Sequence, residues 1–293
     1  MDQLQIKLIY PASKAPDDTP KDSILELKKA GFKIDEAPLG EPGKWNFHAA
    51  RFQDRLSILS DALLATDINV ILAARGGYGM SDLLPDLPWD KLQSSSRKMI
   101  VGYSDLTALQ SACYTKLGWQ SLHGPMPMTS YWGQLSDSDI DALWKALIHT
   151  ERENKIALDA SWGGKPHMEG ILFGGCLSVL SNLIGTPYLP KQLDGHILFF
   201  EDVNEHPGKL FRYLNQWYQS GLFAGVEHLI LGDFCGLGDM GYDKHEFCAD
   251  VHERYGLSVS SSSAFGHCTP NYPVGIGSHG CIDDLTLSWQ WRT

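Results

Sequence analysis

Ser104 is the residue of this chain best placed to act as a nucleophile. It stands in Gly102-Tyr103-Ser104-Asp105, between the apolar run Met99-Ile100-Val101 and a segment in which Leu106, Leu109, Cys113 and Leu117 recur at helical spacing. The pattern predicts a buried strand that turns sharply into a helix. Such a turn lifts a hydroxyl off the carboxyl edge of a sheet and leaves backbone N–H groups beside whatever the hydroxyl attacks. Two observations weigh on the other side. Serine is also a good helix cap, and Leu106 stands where a nucleophile elbow usually has its second glycine.

A serine needs a base, and the base needs an orienting acid. Eleven histidines are available. His149, His228, His245 and His252 fall in or beside apparent helices and strands, where a half-exposed surface histidine is the ordinary reading. His267 lies in Ala264-Phe265-Gly266-His267-Cys268-Thr269-Pro270-Asn271, a glycine- and proline-punctuated loop of the kind that displays functional side chains. His123 and His279 are its rivals. For the acid, Glu201 follows the apolar strand His196 to Phe200, and Asp202 is its direct competitor. Spacing alone leaves these alternatives open.

The elements that must position these groups alternate between strand and helix. A first strand spans Leu4 to Ile9; a helix follows with Thr19 as cap, Pro20 at its first position, Asp22 three residues after the cap and Gly31 as its stop. Phe52, Leu56, Leu59 and Leu63 mark the next helix, and Ile68 to Ala73 the next strand, ending in Ala74-Arg75-Gly76-Gly77-Tyr78-Gly79. This order implies an α/β fold with a parallel sheet whose site lies at the carboxyl ends of the strands. The glycine turn and the serine turn should share one rim. The polar stretch 151–169 reads as a connection between an N-terminal domain (1–150) and a smaller C-terminal α/β domain (170–293). In the latter, a strand from Val226 to Leu231 and a helix from Lys244 to Tyr255 are expected.

Composition excludes several functions. A formal charge of -11 argues against nucleic acid and anionic membrane as partners. The N-terminus lacks a basic-then-apolar leader and no later run could span a bilayer, so a cytoplasmic protein is expected. Six scattered cysteines without a Cys-x-x-Cys pair favour free thiols over disulfides or zinc. His245, Cys248 and His252 have helical spacing but no evident fourth ligand. Gly236-Leu237-Gly238-Asp239-Met240-Gly241 matches a dinucleotide turn, but no acidic residue follows at the next strand to receive a ribose. No metal and no cofactor is expected. A binding protein without activity is a third class, since fold alone does not imply function.

Five motifs in register carry a family resemblance: Ala74 to Gly79, Val101 to Leu109, His123-Gly124-Pro125-Met126, Phe199-Phe200-Glu201-Asp202-Val203 and Gly266-His267. The chain resembles the LD-carboxypeptidases, serine peptidases acting on muropeptides, with the microcin-immunity peptidases as close relatives. The resemblance implies a Ser104, Glu201, His267 triad in a cleft between the two domains, with the N–H groups of Asp105 and Gly77 as the oxyanion hole. It implies that Arg75, Gly76 and Tyr78 line the substrate, and that the chain forms a homodimer. It also implies a muropeptide tetrapeptide substrate cut before its terminal D-alanine, with peptidyl-nucleotide amides as the alternative; the chain's length favours the former. The family pattern is broken at Asp82 and Cys176, in place of the usual arginine and asparagine, and at Gly208 and Phe211, in place of tyrosine and aspartate. None of these belongs to the implied triad.

Overall fold

The computed structural model describes residues 4–15, 22–29, 32–45 and 47–292. Thr19, Pro20 and Gly31, the expected cap, first position and stop of the first helix, lie outside these residues. Five parallel strands open the chain: β1 (Gln5–Ile9), β2 (Lys33–Glu36), β3 (Val70–Ala73), β4 (Met99–Gly102) and β5 (Ser121–His123). Their spatial order is β5-β4-β3-β1-β2. β3 is buried throughout and β4 almost so, which is why both read as continuous apolar runs rather than alternating ones. Helices α1 (Asp22–Lys29), α2 (Phe52–Leu64), α3 (Met80–Leu83), α4 (Trp89–Leu92) and α5 (Thr107–Leu117) lie in the connections, and α6 (Asp137–Ile148) follows β5. The start of α6 is fixed by a capping box in which Ser136 and Asp139 satisfy each other's backbone N–H.

The second sheet is wider. It uses β6 (Asn154–Ala157), β7 (Ala160–Trp162), β8 (His167–Cys176), β9 (His196–Val203), β10 (His228–Cys235) and β11 (Val259–Ser261). After β12 (Val274–Ile276), the chain returns to this sheet as β13 (His279–Asp283) and β14 (Thr286–Gln290). The order is β6-β14-β13-β8-β9-β10-β11-β7, with β8 to β11 parallel. Its helices are α7 (Leu177–Asn182), α8 (Pro207–Gln219) and α9 (Lys244–Tyr255).

Three readings of the sequence change here. The polar stretch 151–169 is not a bare connection: it supplies the short strands β6 and β7, whose partners lie roughly 100 to 135 residues away, and the start of β8. β9 runs on through Glu201 and Asp202 to Val203, so both carboxylates belong to the strand. β12 pairs antiparallel with β5, so the C-terminal half completes the first sheet. The two halves are joined further by side chains. Thr107 Oγ1 accepts the Cys176 N–H at 3.2 Å, Ser111 Oγ donates to the Tyr188 carbonyl at 2.7 Å, and Tyr114 Oη meets His196 Nε2 at 2.8 Å. No helix among the described residues is long and apolar enough to cross a membrane.

Candidate active site

Ser104 sits where β4 turns into a 3-10 turn, Ser104–Leu106, that leads straight into α5. Its φ is +60°, in the left-handed region that costs a non-glycine residue about 1–2 kcal/mol. The cap positions of the two helical segments are Tyr103 and Leu106, so Ser104 is not the cap that a serine here could have been. The side chain is half-buried. Beneath it, the buried Gln110 donates to the carbonyls of Gly102 and Leu122, each at 3.0 Å, which ties β4 to β5 under the turn.

The glycine loop after β3 lies against this turn. A Cβ on Gly76 would stand 2.8 Å from Ser104 Cβ, 2.9 Å from its Oγ and 3.2 Å from the Asp105 nitrogen, so the approach requires glycine. Gly77 follows with φ +112°. Several side chains hold this loop in place. Buried Arg55 donates from Nη1 to the carbonyls of Pro11 and Gly79, each at 2.8 Å. Bonds of this charge-assisted kind contribute about 1.5–3 kcal/mol each. Ser13 Oγ accepts the Tyr78 N–H at 3.0 Å, and the buried Asp105 carboxylate accepts the Met80 N–H at 2.8 Å. Burial pushes the Asp105 carboxyl up to about 7; the Met80 N–H opposes the shift. No pattern in the sequence distinguishes Arg55, Ser13 or Gln110 from ordinary surface and helix positions.

Glu201 and His267 are brought together from the second sheet. Glu201 is fully buried on β9; His267 lies on the loop after β11 and is 7% exposed. His267 Nδ1 donates to Glu201 Oε2 at 2.5 Å, which leaves Nε2 free to exchange a proton. Burial raises the Glu201 carboxyl, but the charge and hydrogen bond of His267 outweigh it and hold the group below its ordinary range. Burial conversely lowers His267, and Glu201 outweighs that, so the imidazole sits above its usual value. Gly266 permits the contact: its φ is +118°, and a Cβ there would lie 2.9 Å from Glu201 Cβ. The ring of Tyr103, the residue before Ser104, packs edge-on against His267 with centroids 4.7 Å apart. The serine turn and the Glu201–His267 pair therefore meet at Tyr103.

The rival residues separate cleanly. Asp202, next along β9, faces away from Glu201 as strand alternation requires, and accepts the Ser178 N–H at 2.7 Å and the Val203 N–H at 2.9 Å. His123 does reach the site: it is fully buried, and its Nε2 lies 4.0 Å from Oε1 of Glu201, the oxygen His267 does not use. Burial lowers its pKa to about 4, against the pull of Glu201, so it is neutral near pH 7. His279 is exposed on β13. Arg75 donates to the Lys14 carbonyl at 2.6 Å; Tyr78 is 51% exposed and donates to Asp82 Oδ1 at 3.0 Å. Asp82 thus serves as the tyrosine's anchor. Cys176 is buried against Asp202, the Gly208 N–H donates to His206 at the start of α8, and Phe211 packs on Phe247.

The remaining sequence readings resolve as packing. Cys248 is buried in the core, His245 packs edge-on against Trp162 with centroids 4.7 Å apart and His252 Nδ1 is engaged by the Leu257 carbonyl at 2.6 Å, so the three do not converge on an ion. The Gly236 to Gly241 stretch itself folds into a 3-10 turn at Gly238–Met240, and α9 begins only at Lys244 behind an Asp243 cap, so no α-helix N-terminus opens on the glycines as a pyrophosphate site requires. All six cysteines are free.

Residues 6–124 match the LD-carboxypeptidase N-terminal domain and residues 169–282 the LD-carboxypeptidase C-terminal domain, between them most of the chain. The murein tetrapeptide carboxypeptidase of Pseudomonas aeruginosa is 29% identical over 295 residues, 97% of this chain and 95% of that protein. The microcin C7 self-immunity protein of Escherichia coli is 27% identical over 289 residues, 88% of this chain and 83% of its own length. The crystal structure of muramoyltetrapeptide carboxypeptidase from Oxalobacter formigenes superposes with a TM-score of 0.85 at 28% identity, covering 99% of this chain and all of that one. The chain belongs to the LD-carboxypeptidase family of serine peptidases.

Proposed function

We propose that the protein hydrolyses the amide bond joining the diamino acid of a cytoplasmic muropeptide tetrapeptide to its terminal D-alanine, as a step of murein recycling. The observation that carries this reading is the Glu201–His267 pair, packed through Tyr103 against a serine on a strained turn. In this mechanism His267 Nε2 takes the Ser104 proton as Oγ attacks the scissile carbonyl. The N–H groups of Asp105 and Gly77 receive the oxyanion; each such donor contributes about 100-fold to 1000-fold in turnover. His267 then gives the proton to the leaving amine, free D-alanine departs, and water hydrolyses the Ser104 ester by the same steps. Arg75, Gly76 and Tyr78 border the peptide.

The decisive assay is release of D-alanine from the tetrapeptide by the native protein and by Ser104→Ala. Release by the native chain alone supports the reading. Equal release by both removes Ser104 from the mechanism. If neither releases D-alanine, the substrate assignment fails and a peptidyl-nucleotide amide is assayed next, as the similarity to the microcin self-immunity protein suggests.

A further inference from the structure

A second constellation of reactive side chains lies on β8 and β13, away from the serine turn. His167 and Glu169 alternate along β8, and His279, Cys281 and Asp283 along β13, so each set points to one face of the sheet. The antiparallel register places Asp283 opposite His167 and Cys281 opposite Glu169. His167 Nδ1 lies 2.6 Å from Asp283 Oδ1 and 3.7 Å from Cys281 Sγ, and that sulfur lies 3.4 Å from Asp283 Oδ2. One ligand atom from each of the three falls within 4.8 Å of the others.

We propose that His167, Cys281 and Asp283 form a binding site for a borderline divalent metal of the zinc class, with Glu169 orienting His167. Ligands of a tetrahedral zinc stand 2.0–2.3 Å from the ion and hence about 3.3–3.8 Å from each other. The sulfur–nitrogen separation already has that size; Asp283 turns one oxygen to His167 and the other to Cys281, so its carboxylate must rotate and move off His167 by about 1 Å for a single oxygen to serve as ligand. His167 Nε2 lies 3.0 Å from Glu169 Oε1. A carboxylate there fixes the tautomer that leaves Nδ1 as a lone-pair donor, the arrangement found behind most metal-bound histidines. The mixed nitrogen, oxygen and sulfur set favours zinc or cobalt over magnesium or calcium. His167 begins β8 and Cys176, which pairs with Glu201, ends it, so the ion would lie about 30 Å along the strand from the triad. It would clamp β8 to β13 rather than take part in hydrolysis. The sequence reading expected no metal because the cysteines form no Cys-x-x-Cys pair; His167 joins Cys281 and Asp283 only through strand register, across more than a hundred residues.

The test uses full-length protein without a histidine tag, stripped with chelator, then titrated with Zn²⁺ against a chromophoric chelator and separately with Co²⁺. One equivalent of Zn²⁺ should bind, and the Co²⁺ form should show a thiolate-to-cobalt charge-transfer band that Cys281→Ser abolishes. His167→Ala and Asp283→Asn should weaken Zn²⁺ binding at least tenfold, and Glu169→Gln by about 10–100-fold. Unfolding temperatures measured without metal establish that the variants are folded. Equal Zn²⁺ affinity in the native protein and a His167→Ala, Cys281→Ser double variant overturns the proposal, as does a cobalt spectrum without the band.

Discussion

The carboxylate of Asp105 accepts the backbone N–H of Met80 at 2.8 Å, tying the turn that bears Ser104 to the loop that bears Gly76 and Gly77. In the proposed mechanism one residue thus offers its backbone N–H to the oxyanion and its side chain to the loop that bears the second donor.

That bond is made by a carboxyl that burial raises from 3.8 to about 7. The unfolded chain releases this proton near pH 4 and the folded chain holds it until about pH 7. Between those values the native state binds more protons, so this group's contribution to stability falls as pH rises. Asp105→Asn keeps an acceptor for Met80 and the N–H at position 105 but cannot ionise. It should stabilise the protein at pH 8 by about 1–3 kcal/mol, with little effect at pH 4, and leave peptidase activity within about tenfold of native. Thermal unfolding across this pH range measures it; a constant difference between the two proteins would refute the account.

Gly76→Ala probes the closest approach in the site. The backbone at this position is not left-handed, so alanine should be tolerated in folding, but its methyl would enter the space of Ser104 Cβ and Oγ. We expect an unfolding temperature within a few degrees of native and a loss of at least about 100-fold in kcat, the scale of a disturbed oxyanion donor. Activity within tenfold of native would show that the loop can retreat.

Glu201→Gln should act through the pH profile as well as the rate. Glu201 holds the His267 imidazole above its ordinary value, and only neutral His267 can take the serine proton. Activity should therefore fall as pH drops through a value above 6.5. Without the carboxylate, burial lowers the histidine, so the acid limb of kcat/KM should move to lower pH while kcat falls by about 10³–10⁴-fold. An acid limb that stays in place would separate Glu201 from the titration.

The strand-turn-helix at Ser104 and the span of α9 were legible because both rest on local periodicity. The choice of Glu201 over Asp202 was not a matter of spacing: it depends on which face of β9 looks toward His267, which register fixes and sequence distance does not. His267 and His123 could not be ranked for the same reason, since both end at Glu201, one through each carboxylate oxygen. The strands β6, β7 and β12 are only three or four residues long, too short to carry a period. Arg55 sits on an amphipathic helix like many surface arginines, and only the fold turns it inward to grip the glycine loop.

The loop bearing His267 leaves β11 in one sheet and enters β12 in the other. His267 is therefore strung between the two sheets like a span between piers, and any motion that parted them would draw on it directly. Severing the chain near residue 150 would do more than divide it. β5 would lose its outer neighbour and present an open edge, a template for association with other chains.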